Sequence, residues 1–422
     1  MRILLVKPAF ARILNNAAYL TYPLGLMYVA ATLQELGHTV QIWHDDVSNQ
    51  TAPPIPHCPP GFKPLSTLTP GPDVLDPLAL KIDTWQPDVI GVGYTTIDRI
   101  GAHAVAQLAN ERGIRVVAGG VHPSLLPDGE LKPNGPFDAV VVGEGDNWET
   151  ESVYTGELDW FFSSEQWVHS CFDMISPARE AVIGWENYSP YLRGIVQTQR
   201  GCPYNCGYCA ASKVFGRKVR TRDAVNVRRE VETLGVRSGR IIDDSFFVVK
   251  EHSRQVCIEL ENVDYSWVCD MALQDATNDA LQYIARGGGT CINVGIESAS
   301  PRWRDLSGKK VRAGEPENLI QRASDNGIGV VYYFMVGFPG ETVDEINMTL
   351  DYAQRLKDLG AKPCVSLVMP YPKTRLWDVA CEWKDMTNPD WSEFIHQNSQ
   401  IKLAACTDSE WADAVQRGNE IN

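Results

Sequence analysis

Between Arg200 and Ala210 the chain reads R-G-C-P-Y-N-C-G-Y-C-A, which sets Cys202, Cys206 and Cys209 at the spacing C-x3-C-x2-C. Three thiolates this close in sequence can serve one soft metal centre. In a 4Fe-4S cluster each of the four irons takes a thiolate, so three cysteines leave one iron open to a small molecule. Gly201 and Pro203 suit a chain that wraps tightly, and Asn205 and Gly207 tolerate the left-handed turns of such a wrap. A zinc site fits less well, because it wants four ligands, often as two C-x2-C pairs. The nearest histidines, His169 and His252, are far away in sequence. A disulfide knot of three cysteines leaves one unpaired.

The elements that must position this loop are legible from hydrophobic periodicity. Arg193 to Gln199 reads as a strand leading into it, and Arg222 to Leu234 as an amphipathic helix leaving it. Strands follow at Gly239–Phe247, Tyr265–Leu273, Thr290–Ile296, Gly329–Phe334 and Val365–Met369, with helical stretches between them. Six strands in βα order predict a partial parallel (β/α)6 barrel of the TIM type, with its site at the C-terminal ends of the strands.

The first third of the chain repeats the alternation on its own. Ile3–Val6, Thr39–Trp43, Asp88–Tyr94, Val116–Ala118 and Asp138–Val142 read as strands, with helices at Pro23–Leu36 and Arg99–Arg112. Alternating strands and helices imply an α/β, doubly wound parallel sheet, Rossmann-like, which binds ligands at the carboxyl ends of its strands. Glycines fall at those ends, as Gly91 and Gly93, Gly119 and Gly120, Gly143 and Gly145. Residues 51–76 are dense in proline and read as a surface insertion. The predicted organisation is therefore a sheet domain at 1–150, an aromatic-rich linker at 151–190, a barrel at 191–380 and a C-terminal extension at 381–422. The linker's Trp160, Phe161, Phe162, Trp167 and Trp185 are expected to pack across the two domains. Trp377, Trp383, Trp391 and Trp411 are expected to cap the barrel.

Composition excludes several classes. The chain has 422 residues, 44% hydrophobic and 22% charged, with 38 Lys and Arg against 53 Asp and Glu, a net charge of −15. A large nucleic-acid surface needs the opposite balance. The 11 cysteines are too few for a disulfide scaffold. The eight outside the triplet, Cys58, Cys171, Cys257, Cys269, Cys291, Cys364, Cys381 and Cys406, are scattered singly and read mainly as small buried hydrophobes. The N-terminus reads as a strand rather than a signal peptide, and no segment reads as a membrane helix. A reducing cytoplasm is the expected location.

The cysteine triplet resembles the signature of the radical S-adenosylmethionine (SAM) superfamily. Four later strand ends strengthen the likeness: I-D-D-S-F, V-G-I-E-S at Val294–Ser298, F-M-V-G-F-P-G-E-T at Phe334–Thr342, and M-P-Y-P-K-T-R-L at Met369–Leu376, where Lys373 replaces the usual glycine. The resemblance, not the spacing, implies the chemistry: Cys202, Cys206 and Cys209 hold the cluster, SAM chelates the open iron, and reduction cleaves SAM to a 5′-deoxyadenosyl radical. It implies SAM contacts at Tyr208, at Asp243 or Asp244, at Glu297 and Ser298, and at Gly337 and Pro339.

In order, P-L-G-L-M-Y-V-A-A-T-L, G-V-G-Y-T-T, V-V-A-G-G-V-H-P and D-A-V-V-V-G-E-G-D resemble the cobalamin-binding domain fused to many radical SAM enzymes. This resemblance implies cobalamin contacts at Gly93, Tyr94 and Thr95, at Gly119, Gly120 and His122, and at Gly143 and Glu144. The D-x-H-x-x-G string of free-standing cobalamin domains is absent, and His38, His44 and His103 do not fit it, so a histidine-ligated cobalt is not expected.

Together the two resemblances imply a cobalamin-dependent radical SAM methyltransferase that methylates an unactivated carbon of a small molecule. It would be fed electrons by a reductant such as flavodoxin or ferredoxin. The rivals are another radical SAM reaction (cyclisation, rearrangement or non-radical methyl transfer) with a degenerate cobalamin domain, and a cobalamin or redox sensor. A methylthiotransferase is disfavoured, since no second cysteine triplet or basic tail is visible.

Overall fold

A computed structural model of the chain describes residues 1–9, 21–48, 72–146, 154–156, 175–386, 389–391, 394 and 401–422. Cys58, Cys171, the linker aromatics Trp160, Phe161, Phe162 and Trp167, and the prolines of 51–71 lie outside the described residues. Two compact units emerge, one ending at Ser189 and the other taking over at Pro190.

The first unit is built on one sheet. Its strands are β1 (Arg2–Lys7), β2 (Thr39–His44), β3 (Val89–Gly93), β4 (Arg115–Gly119), β5 (Ala139–Val141) and β6 (Tyr154–Gly156). They lie in the order β2-β1-β3-β4-β5-β6, the first five parallel and β6 antiparallel to β5. Ile3, Leu4, Leu5 and Val6 are all buried, as expected of a parallel strand covered on both faces. Helix Arg99–Asn110 buries Ala102, Val105, Ala106 and Ala109 on one stripe, and these residues join the core formed by Leu4, Ile90, Val92 and Val116. The proline-rich stretch ends sooner than its composition implies, because Pro72–Trp85 is a helix. Proline is well suited to the first helical position, where its missing N–H costs nothing.

The second unit carries β7 (Ile195–Val196), β8 (Gln199–Arg200), β9 (Arg220–Thr221), β10 (Ser238–Ile241), β11 (Ser266–Met271), β12 (Gly289–Glu297), β13 (Gly329–Val336) and β14 (Lys362–Leu367). Six form one parallel sheet in the order β14-β13-β12-β11-β10-β7, each strand beside its predecessor in the βα series. Helices Ala224–Thr233, Lys250–Leu260, Asn278–Arg286, Glu315–Ser324 and Val343–Asp358 supply the crossovers. Alternate strand residues such as Ile292, Val294 and Ile296 are buried with Leu319, Ile346 and Leu350 of those helices.

Two strand boundaries differ from the sequence reading. The stretch Arg193–Gln199 splits, so that β7 joins the barrel sheet while β8 pairs antiparallel with β9. Asp243 explains the break, since its carboxylate accepts from the backbone N–H groups of Thr198 (2.7 Å) and Gln199 (3.0 Å). That capture also ends β10 at Ile241, well before Phe247.

The C-terminal segment covers the β14 end of the sheet. Helix Asp408–Ile421 adds Ala414 and Ile421 to the core. The Asn422 side-chain amide both accepts from Val365 N and donates to Val365 O, at 2.5 and 3.0 Å, where a next strand would pair. No helix among the described residues is long and apolar enough to cross a membrane.

Candidate functional site

The cysteine loop is an excursion from the β8–β9 clip. Gly201 sits at φ +98°, and a Cβ there would lie 2.5 Å from Lys218 O, so only glycine fits. A Cβ on Gly207 would lie 2.2 Å from Leu306 O, which ties the middle of the loop to helix Pro301–Ser307. Inside the loop, Cys209 N donates to Cys206 O and Ala211 N donates to Cys209 Sγ, at 3.2 and 3.4 Å. The Arg217 guanidinium closes it from outside by donating to Pro203 O at 2.8 Å.

Cys202, Cys206 and Cys209 are free and half-buried. Burial pushes all three thiols up, Cys209 to about 11. Without metal these are poor thiolates, and ligation is what would deprotonate them. Three free thiols on one short loop are a donor set that fits a 4Fe-4S cluster, in which each thiolate sits on a different iron.

At the carboxyl end of β12 the backbone leaves the sheet through Glu297, which takes the left-handed conformation at φ +69°. For a residue with a Cβ such a conformation costs about 1–3 kcal/mol. It aims a nearly buried carboxylate at the cysteine loop. Tyr208 donates to Glu297 Oε1 at 2.6 Å, and Lys309 Nζ lies 3.2 Å from the same oxygen. A Cβ on Gly295 would come within 2.1 Å of that oxygen. Burial alone would favour neutral Lys309, but Glu297 and the Cys206 and Cys209 thiols hold it charged. Tyr208 and Glu297, both expected to face SAM, are thus brought together. Lys309 was missed because it lies outside any of the quoted motifs.

The two aspartates after β10 have different fates. Asp243 is turned inward onto Thr198 and Gln199, and burial pushes its carboxyl up to about 7. Asp244 is exposed and close enough to Cys202 and Cys209 to raise both thiols. Asp244, not Asp243, faces the cysteine loop.

Ser298 is also buried, with its hydroxyl 3.0 Å from Thr349 Oγ1 and accepting from Ser300 N at 3.1 Å. It shapes the turn after β12. Gly337 and Pro339 are buried. Gly337 N and Phe338 N donate to Glu341 Oε2 at 2.6 and 3.0 Å, and burial pushes Glu341 up to about 8. A Cβ on Gly337 would meet the Trp411 ring at 2.5 Å, and one on Gly340 the Trp383 ring at 2.2 Å. Both tryptophans thus pack on this loop.

In the first unit the strand order reverses between β1 and β3, the place where doubly wound sheets take ligands. Gly93, Thr95, Gly119, Gly120 and Gly143 present accessible backbone at neighbouring strand ends. A Cβ on Gly93 would meet Leu26 at 2.5 Å and one on Gly120 the Tyr94 backbone at 2.6 Å, but among the described residues one on Gly119 would touch only Val141, at 3.9 Å, so the space beside Gly119 is not filled by any of them. A shelf of bare backbone suits a large ligand that needs close approach.

The side chains expected there behave differently. Tyr94 and His122 are buried and face inward onto Glu130. Glu130 accepts from the Tyr94 hydroxyl and from Arg99 Nε at 2.7 Å, with His103 Nε2 at 2.7 Å and His122 Nε2 at 3.4 Å. Burial would raise its pKa, but His103, His122, Tyr94 and the Arg99 charge hold it well below the carboxylate range. His122 Nδ1 lies 3.0 Å from Thr96 Oγ1. Thr95 is fixed by Asp98, which accepts from its N–H and hydroxyl and ion-pairs with Lys7. Glu144 is buried. The first unit's polar side chains support the shelf rather than form it, and Glu130 was missed by sequence reasoning.

Comparison with known proteins matches residues 196–353 to the radical SAM superfamily and residues 12–152 to the B12 binding domain. An uncharacterised methyltransferase of Pyrococcus horikoshii is 26% identical over 96% of this chain and 88% of its own length. The anaerobic magnesium-protoporphyrin IX monomethyl ester cyclase of Rubrivivax gelatinosus is 25% identical, covering 84% of this chain and 66% of that protein. Among solved structures, the radical SAM methyltransferase TsrM of Kitasatospora setae, with cobalamin and a [4Fe-4S] cluster bound, superposes with a TM-score of 0.65. It shares 17% identity over 90% of this chain and 78% of that one.

Proposed function

The chain is a radical SAM protein with an N-terminal B12-binding domain, and from that premise we propose that it transfers a methyl group to an unactivated carbon of a small molecule. The cofactors are a 4Fe-4S cluster, SAM and cobalamin. Cys202, Cys206 and Cys209 would hold the cluster. Tyr208, Asp244 and Glu297, joined by Lys309, would line the SAM side. Gly93, Thr95, Gly119, Gly120 and Gly143 would carry the corrinoid. When bound, the cluster supplies the electron that cleaves SAM and cobalamin supplies the methyl group.

The protein's share is orientation. Glu297 holds two hydrogen-bonding partners, Tyr208 and Lys309, on one oxygen. Those contacts fix a charged, preorganised wall beside the cysteine loop before any ligand arrives. Asp244 adds an acceptor suited to an ammonium group. Gly201 and Gly207 let the loop close on the metal, and Asp243 anchors the strand that feeds it.

The observation that carries this reading is that the two matched domains occupy one chain with both strand-end sites built, the Tyr208–Glu297–Lys309 cluster in one unit and the open glycine shelf in the other. Likeness to methyltransferases, one of them aligned along nearly the whole chain, supports the reaction type. The cyclase relative supports a second reading, a radical cyclisation that also uses SAM.

The test is anaerobic turnover of reconstituted protein with SAM, cobalamin, a strong reductant and candidate acceptors. Methyl transfer predicts S-adenosylhomocysteine and 5′-deoxyadenosine together. 5′-Deoxyadenosine alone supports cyclisation. Neither product, with both cofactors loaded, contradicts the enzyme reading in favour of a sensor.

A further inference from the structure

Two tyrosines of the cysteine loop reach carboxylates at the ends of neighbouring strands. Tyr208 meets Glu297 at the end of β12. Tyr204, midway between Cys202 and Cys206, donates its hydroxyl to Asp275 Oδ2 at 2.5 Å. Asp275 closes the turn Leu273–Asp275 that follows β11, the strand beside β12. That anchor is firmly built. Asp275 N donates to Ala272 O at 2.9 Å, and Thr277 N donates to Asp275 O at 2.8 Å. Thr277 in turn caps helix Asn278–Arg286 by accepting from Ala280 N at 3.2 Å. Asp275 is buried, and leaving a buried acceptor unpaired is costly, so the pair resists opening.

Tyr204 brings more than its hydroxyl to the loop. Its backbone N–H faces the Cys202 thiol and offsets part of the effect of burial there. Ala211 N makes the corresponding contact to Cys209 Sγ at 3.4 Å. One chain of contacts thus runs from Asp275 through the Tyr204 hydroxyl and the Tyr204 N–H to the Cys202 sulfur. The hydroxyl and the N–H belong to one residue. Fixing the ring on Asp275 therefore limits how far the N–H can turn away from the sulfur.

We propose that Tyr204 is a positioning residue: locked on Asp275, it keeps its N–H on the Cys202 sulfur and so raises the reduction potential of the cluster. The inference rests on the reading that the loop holds a 4Fe-4S cluster. Hydrogen bonds to the sulfurs are among the factors that set such potentials. The reduced cluster carries one more negative charge than the oxidised one, so an N–H aimed at a ligand sulfur stabilises the reduced form more. Groups that orient a metal ligand from behind tune the metal in the same way.

The test is the midpoint potential of the reconstituted full chain without SAM, poised with dithionite and mediator dyes and read by electron paramagnetic resonance. Tyr204→Phe removes the hydroxyl, keeps the ring and adds no charge. Its potential is expected to fall, shifting the one-electron equilibrium by about threefold to tenfold, or about 30–60 mV, with iron and sulfide content as in the wild type. Asp275→Asn keeps an acceptor oxygen for Tyr204, and its potential should not fall. Leu281→Ala is the control, a cavity under the buried face of helix Asn278–Arg286. It should lower stability in chemical denaturation and leave the potential unchanged. An unchanged potential in Tyr204→Phe would overturn the proposal. An equal fall in Asp275→Asn or in Leu281→Ala would overturn it as well, because it marks general loosening of the fold. A Tyr204→Phe chain that assembles no cluster would also overturn it, since the pair would then serve assembly rather than tuning. A wild-type chain that assembles no cluster would overturn the cluster reading and this inference with it.

Discussion

The two units place ligand-directed groups at strand ends in contrasting ways. Around the cysteine loop, side chains carry the chemistry: three half-buried thiols, Tyr208, Asp244, Glu297 and Lys309 face one another across the loop. At the carboxyl ends of β3, β4 and β5 the exposed groups are mainly glycine backbone, and the polar side chains point inward onto Glu130. The difference follows from what each site must grip. A soft metal needs thiolates at fixed spacing, whereas a large corrinoid is held over a broad surface by shape and backbone. Mutations should therefore act directly in the second unit and through the scaffold in the first.

The largest expected effect is at Cys206. Cys206→Ala removes one of three thiolates, and iron and sulfide content of the reconstituted protein should fall to near background. Retention of a full cluster would contradict the assignment of the loop.

Next is Glu130→Gln. It leaves donors from Tyr94, Arg99, His103 and His122 facing an amide in a buried site. Breaking a buried charge pair costs about 3–5 kcal/mol, and the loops after β3 and β4 lose their common anchor. Hydroxocobalamin affinity should fall about tenfold or more by equilibrium dialysis, while cluster loading of the other unit stays intact. Val105→Ala, a cavity in the same core, is the control, because it should lower stability without changing affinity. Equal losses in both variants would reduce Glu130 to ordinary packing.

Tyr208→Phe is milder. It removes one hydrogen bond to Glu297, worth about 1.5–3 kcal/mol when the partner is charged. SAM binding should weaken by about tenfold with the cluster still assembled, as read from SAM-induced changes in the reduced cluster's spectrum. An unaltered SAM titration would place SAM elsewhere.

The smallest effect concerns Asp243, whose folded pKa is raised to about 7 by burial, against about 3.9 in an unfolded chain. Between those values the folded state binds more protons, so this group's contribution falls as pH rises from about 4 to about 7. Asp243→Asn should flatten that part of the stability profile in chemical denaturation. An identical slope in the variant would show that Asp243 is ionised throughout.

Much of this arrangement was legible in the sequence, because its signals are local. The cysteine spacing, the six βα repeats and the V-G-I-E-S strand end all mark residues whose neighbours in sequence are neighbours in space. What escaped was long-range. Lys309 meets Glu297 across helix Pro301–Ser307 and outside every quoted motif. Glu130 gathers partners from the loops and helices after β3 and β4. Asp243 looked like a ligand-facing strand end because no periodicity reveals that Thr198 and Gln199 lie beneath it. Tyr94 and His122 sit in the expected turns, but turn position alone does not say whether a side chain faces the ligand or the core.

The central claim is that one chain builds a site for a three-cysteine cluster and a site for cobalamin. Electron paramagnetic resonance of anaerobically reconstituted protein tests it most directly. The account predicts a stoichiometric cob(II)alamin signal together with a reduced 4Fe-4S signal that SAM perturbs. A cluster signal with no bound cobalamin would contradict the role given to the first unit, and a cluster signal that persists unchanged in Cys206→Ala would contradict the role given to the second.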